Sequence, residues 1–308
     1  GEIAITGTLQ REPGGSVSGG PVYGASSTLR YLGGFTVGGE WGAGATVGAG
    51  VPKNITITAG AGTVTMPSQD RYVTGNLTIE SGTLALGPVA GNLLVRGNWT
   101  NSGTLVPNDR TVVMVGTANQ TVTRTTGNET FDIFQIVKSA GDVSLGSNID
   151  ITKRLFLNGG DLITGVHTLS LTSTTAYVVW SAGHVEGTLR KLIGTGPKNV
   201  PFEIGSNNRD AFLGVSFGSV STGGYVTATT TSGDHPQIAS TTFDPNLTAN
   251  RFWTLSAPSV TFDSAAVTLY PDPADLDPGA NPLTFEVGRW AGGWTNPAMG
   301  LVTDTSAT

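Results

Sequence analysis

The chain has 308 residues, 45 of them glycine, and its 16 Lys and Arg against 22 Asp and Glu give a net charge of −6. Scattered cations on an acidic chain argue against a nucleic-acid partner, because phosphate neutralisation needs clustered Lys and Arg. The absence of cysteine excludes disulfides and thiolate metal sites, and no apolar run reaches the roughly 18 residues of a transmembrane segment. Glycine is dispersed among short Val, Ile, Leu and Thr runs, which predicts an all-β chain with many tight turns. Only 12% of residues are charged, so Thr, Ser, Asn and Gly carry the polarity, as suits a protein outside the cell or packed against copies of itself. Gly1 is not an initiator Met, which points to a processed or excerpted form and leaves export open.

In chain order, residues 1–10 alternate, with Ile3 and Ile5 set against Glu2, Ala4 and Thr6, and Leu9 following. That is a strand signal. Residues 11–21 are rich in Gly, Pro and Ser and read as a linker, so residues 1–20 are expected to be a strand on a flexible tether. A lone strand must pair with something, in its own chain or in a neighbour. Residues 23–41 hold Tyr23, Tyr31, Phe35 and Trp41 and are expected to be an irregular capping coil.

From Asn54 the sequence repeats itself. Asn54-Ile-Thr-Ile-Thr is followed 22 residues later by Asn76-Leu-Thr-Ile-Glu, and 22 later again by Asn98-Trp-Thr. A period in the twenties marks a solenoid. Within each repeat, apolar residues alternate with Thr, Ser and Glu, so the rungs are made of strands. The prediction is a right-handed parallel β-helix (a β-solenoid of about 22 residues per rung) over residues 21–195. Asn54, Asn76 and Asn98 are expected to stack from rung to rung in a hydrogen-bonded side-chain ladder.

Beyond the Gly/Pro-rich stretch at 191–201 the period is lost. Short alternating strands at 212–217, 224–229, 251–255, 266–270 and 283–287 predict a small antiparallel β-sandwich over residues 196–308. A last hairpin would turn at Ala291-Gly-Gly between Trp290 and Trp294. The weak pattern at 301–308 suggests a sandwich short of its last strand, with an open groove.

The run from Tyr23 through Glu40-Trp41 and Pro52-Lys-Asn-Ile-Thr-Ile to Gly75-Asn-Leu-Thr-Ile-Glu-Ser-Gly-Thr-Leu resembles the β-helical regions of large secreted surface proteins of the Bacteroidota and Ignavibacteria type. The order Phe202-Glu-Ile-Gly, Arg251-Phe-Trp-Thr-Leu, Tyr270-Pro-Asp-Pro, Arg289-Trp resembles the small sandwich that follows in that group. The likeness spans most of residues 23–296 and is one of repeat style. It implies an exported, cell-surface or filamentous protein and names no reaction.

Parallel β-helices include polysaccharide lyases and hydrolases, which gather Asp, Arg, Lys or His on one outer face. The solenoid offers Asp70-Arg71, Asp109-Arg110, Asp150 with Lys153-Arg154, and His184 with Glu186, but no Asp pair. The reading is therefore non-enzymatic. Asp272, Asp275, Asp277 and Asn281 could supply the oxygen ligands that Ca²⁺ takes, although the same string reads more simply as a turn. His167 and His235 lack a second ligand at metal-like spacing. Asn119, Asn128 and Asn246 head Asn-x-Thr triplets open to glycosylation. Trp290 and Trp294, flanking Gly-Gly, are the aromatics best placed to contact a glycan.

These features lead to an expectation of an extracellular structural subunit that polymerises head to tail with copies of itself. Ile3, Ile5 and Leu9 would act as a donor strand in the next subunit's groove. A cell-surface adhesin binding glycans is the second expectation, and a polysaccharide lyase or hydrolase the third.

Overall fold

The computed structural model describes residues 4–308, and the chain forms two compact units, Gly1–Ala182 and Gly183–Thr308. The first is the expected parallel β-solenoid, with about nine turns of roughly 22 residues. Alternate side chains of a strand point to one side, and stacked strands lie ~4.8 Å apart, so each inward position becomes a column running through the rungs.

On the first face, Leu9, Leu29, Ile55, Leu77, Trp99, Val122 and Leu145 stand in parallel register. From Leu29 to Val122 none of them has solvent-exposed surface. A second face aligns Phe35, Val64, Leu84 and Leu105. On a third, Val73, Val95, Met114, Ile136 and Leu157 form another column sealed from water. Each such side chain stabilises the stack by ~1.5–3 kcal/mol relative to exposure, which explains how a solenoid without disulfides holds together.

The asparagines do form a ladder, but its links run from side chain to backbone and not between side chains. Oδ1 of Asn54 accepts from the Asn76 amide at 2.9 Å, Asn76 from Asn98 at 2.9 Å, and Asn98 from Thr121 at 2.9 Å. Each link therefore joins a side chain to the backbone of the following rung. A parallel ladder runs from Asp70 to Asn92 to Thr111, at 2.8 and 3.0 Å. The glycines that precede Asn76 and Asn98 follow from the same contact. A Cβ on Gly97 would lie 2.5 Å from Asn76 Oδ1, and one on Gly75 2.4 Å from Asn54 Oδ1, so only glycine lets the rungs close.

Three sequence expectations need correction here. Thr8–Arg11 is paired in its own chain, in parallel with Thr28–Tyr31, and Ala4–Ile5 pairs with Val22–Tyr23. Ile5 and Leu9 thus belong to the first turn of the solenoid, not to a strand held away on a tether; Ile3 lies outside the described residues. The reason is local: the loop after Arg11 returns the chain to the same face, and Arg11 is fixed by an ion pair to the buried Glu40. Second, the compact units divide at 182/183 where the expectation put 195/196; Val185–Ile193 pairs in parallel with Ile204–Ser206 and antiparallel with Gly224–Ser232. Third, residues 283–287 form no strand: Asn281 caps a 3₁₀ turn at Pro282–Thr284, a start that proline favours and a ladder does not.

The second unit holds one sheet of Val185–Ile193, Gly224–Ser232 and Arg251–Ser256. A second contains Gly196–Phe202, Leu213–Thr222, Thr261–Phe262 and Ala265–Leu269. Leu189, Phe202, Leu213, Val215, Val226 and Ala228 are buried within this unit. The expected open groove is occupied by the chain's own residues: Ala307 exchanges backbone hydrogen bonds with Leu269 at 2.9 and 3.1 Å.

Candidate functional site

Polar or aromatic chemistry gathers at several places among the described residues. The first is the turn that begins the solenoid. Glu40 is buried and accepts from Tyr31 Oη at 3.0 Å and from Arg11, while Tyr23 Oη donates to its backbone carbonyl at 2.8 Å. Burial, and then the Glu40 carboxylate, push both phenols upward, so they remain protonated donors. The Arg11 guanidinium lies 4.1 Å from the Phe35 ring centroid. The cluster locks Thr8–Arg11 against the second turn. Nothing local in the sequence announces it, since Glu40 is 29 residues from Arg11.

The second is a carboxylate inside the solenoid. Glu129 accepts from Trp99 Nε1 at 2.7 Å and Asn101 Nδ2 at 2.8 Å, with Arg124 at 3.8 Å. Burial raises its pKa, against the opposing pull of those three partners. Trp99 meets Phe131 edge-on at 5.4 Å, and Phe131 stacks on Phe134 at 4.6 Å. The group is enclosed and serves the core.

The third is the set of outer carboxylates considered for catalysis, and it is dispersed. Asp70 receives the Asn92 amide, Asp109 pairs with Lys153, and Asp150 receives Asn128 Nδ2 at 2.9 Å. Asp132 takes Thr152 Oγ1 and the Asp109 amide. Lys153 therefore belongs with Asp109 and not with Asp150. Buried His184 holds Asp210 at 3.0 Å, and Glu186 receives the Asn207 amide at 3.2 Å. Of these carboxylates, Asp109 and Asp132 are drawn together through the Asp109 amide and their side chains, and Lys153 first of all holds the Asp109 carboxyl low; the others stand apart.

The residues proposed for Ca²⁺ serve four separate ends. Asp272 caps Pro273–Asp275, and Asn281 caps Pro282–Thr284. Asp275 is buried between Arg251 and Arg209. Asp277 receives the Thr248 amide at 2.8 Å and Asn250 Nδ2 at 2.6 Å, hydrogen bonds that hold its carboxyl below the usual range. Among the described residues no group of three carboxylates or histidines is arranged to hold a metal.

The fourth place is aromatic. Trp290 and Trp294 pair across the expected hairpin, with ring centroids 5.4 Å apart. His235 lies 5.0 Å from Trp294 and 5.7 Å from Trp290, with Phe252 on its other flank at 5.1 Å. Trp290 remains exposed, whereas Trp294 is half-buried and donates to the Gln237 carbonyl at 2.9 Å. The sequence could not couple His235 to residues more than fifty positions away. Of the Asn-x-Thr asparagines, Asn119 extends the ladder pattern to the Asp142 amide at 3.0 Å. Asn128 pairs with Asp150, and Asn246 with Asp244.

No protein-family model, curated protein or solved structure matches the chain.

Proposed function

We propose that the chain is an extracellular structural subunit that joins copies of itself end to end through the edge of its first solenoid turn. The observation behind this reading is Leu9. It continues the column Leu29, Ile55, Leu77 and Trp99, all sealed from water, yet is itself only half-buried. On the side away from Thr28–Tyr31, Thr8–Arg11 pairs with no strand among the described residues. Such an edge offers unpaired N–H and C=O groups and an apolar step, the template for a further parallel rung. Contact between two different ends does not close on itself, so it propagates. Because this strand is engaged in its own chain, the mode of joining is rung stacking and not strand donation.

The test is light scattering and negative-stain imaging over a concentration series, for the native chain and for Leu9→Lys. Concentration-dependent chains in the native protein, lost in L9K while its circular dichroism stays unchanged, are expected. Native protein that remains monomeric at every concentration overturns the reading.

A further inference from the structure

A groove crosses five successive turns at the corner between the third face and the first. Its volume is about 460 Å³, and it is lined by Lys53, Thr74, Arg96, Thr117 and Ser139. These positions are 21, 22, 21 and 22 residues apart (74 − 53, 96 − 74, 117 − 96, 139 − 117), so each successive rung supplies one of them near the same corner. With ~4.8 Å between rungs, the row runs along the solenoid for about 19 Å.

Two of the five are cations, Thr117 and Ser139 carry hydroxyls, and no carboxylate lines the groove; the buried Thr74 hydroxyl is spent on the Pro52 carbonyl at 3.2 Å. Neither cation forms an ion pair among the described residues. Lys53 spends one N–H on the Thr74 carbonyl at 2.9 Å, and the Arg96 guanidinium makes no hydrogen bond there. Glycine makes the floor. Gly116 has φ +106, and the Arg96 stem lies 3.9 Å from where its Cβ would be; the Lys53 stem crosses Gly75 in the same way. Beneath the floor, Lys138 Nζ donates to the Ala118 carbonyl at 2.6 Å and to Gln120 Oε1 at 2.8 Å.

The asparagine ladder runs beside this row. Because Oδ1 of Asn76, Asn98 and Asn119 is held by the next rung's amide, the orientation of each side-chain amide is set. None of the three Nδ2 groups has a protein partner among the described residues, and all three residues are exposed. The groove is thus bordered by ordered donors repeating once per rung.

We propose that this groove binds an acidic polysaccharide lying along the solenoid, with carboxylates on Lys53 and Arg96 and sugar hydroxyls on Thr117, Ser139 and the Asn76, Asn98 and Asn119 amides beside the row. The two cations are two rungs apart with no charge between them, which suits a polymer charged on every second unit. A sugar unit in an extended glycan advances by nearly one strand spacing, so register persists along the row. A nucleic acid, charged at every unit, would leave phosphates unpaired between and beyond the two cations.

The experiment is titration calorimetry of the full chain with a decasaccharide of alternating uronate and N-acetylhexosamine. Neutral dextran oligomers and poly-glutamate are the comparison ligands. Binding to the uronate oligomer that weakens with added NaCl, and by about tenfold or more in Arg96→Gln, is expected. Arg96 is exposed, so R96Q should fold, and unchanged circular dichroism verifies it. Trp290→Ala should bind as the native chain does. No binding, binding unchanged in R96Q, loss in W290A, or equal binding of dextran or poly-glutamate each overturns the proposal.

Discussion

Replacing Glu129 tests whether the solenoid interior depends on a buried carboxylate. In Glu129→Ala, the Trp99 Nε1–H and the Asn101 amide lose the acceptor they reach at 2.7 and 2.8 Å. A buried donor left unpaired costs ~1–3 kcal/mol, and the void adds ~1 kcal/mol. Release of a costly buried charge offsets part of this, leaving about 3 kcal/mol, or a fall in Tm of roughly 6–12 °C for a unit of this size. Glu129→Gln keeps one acceptor and removes the charge, so its cost depends on pH. Burial raises the Glu129 pKa in the folded state. Below the unfolded value of about 4.3, both states hold the proton and the native chain has its full stability. As pH rises past that value, the unfolded chain ionises freely while the folded one resists, and native stability is lost until the folded pKa is passed. Gln does not titrate. The difference between E129Q and native protein should therefore shift in favour of Gln from about pH 4 toward neutrality. Urea unfolding across that range measures it. A difference that is flat with pH, or an E129A cost under about 1 kcal/mol, refutes the reasoning.

Three further outcomes follow from the geometry. Asn76→Ala removes the acceptor of the Asn98 amide and should cost ~1 kcal/mol, with faster hydrogen exchange at Asn98. Gly97→Ala sets a Cβ 2.5 Å from Asn76 Oδ1 and should cost more, ~1–3 kcal/mol. In the second unit, Lys191 donates to Glu203 at 2.7 Å and to the Pro201 carbonyl at 2.6 Å. Lys191→Met strands the Glu203 charge and should cost ~3–5 kcal/mol, much of it recovered in Lys191→Met with Glu203→Leu, as chemical denaturation would show.

The regular rungs were legible because one constraint writes itself into the chain at each turn. The Gly-Asn pair at 75–76 and 97–98 is needed for the rungs to close, and so it recurs at the period. Where the period is broken, the sequence misleads. Leu29 and Ile55 are paired yet 26 residues apart (55 − 29), because residues 38–53 loop out. The first turns therefore read as a tether and a cap. The Leu283, Phe285 and Val287 alternation has the period of a strand, but Asn281 and Pro282 commit the segment to a 3₁₀ turn. The polar clusters escaped altogether: Glu129 with Trp99, and His235 with Trp294, join residues whose separation no local pattern encodes.

The groove and the ladder share their rungs, yet they make different demands on the sequence. Asn76 and Gly97 are fixed by closure of the stack, so changing either alters stability whether or not anything binds. Arg96 touches neither the ladder nor the core. Its stem rests on Gly116, and its guanidinium bonds to no described residue. A long cation laid across a glycine without a protein partner gives the stack little and loses side-chain freedom in the process. Binding and folding should therefore separate by residue. If R96Q leaves urea unfolding unchanged while abolishing uronate binding, the charge in the groove serves a ligand. If R96Q instead lowers stability by as much as N76A, Arg96 belongs to the scaffold, and the row of donors is only the outer face of the stack.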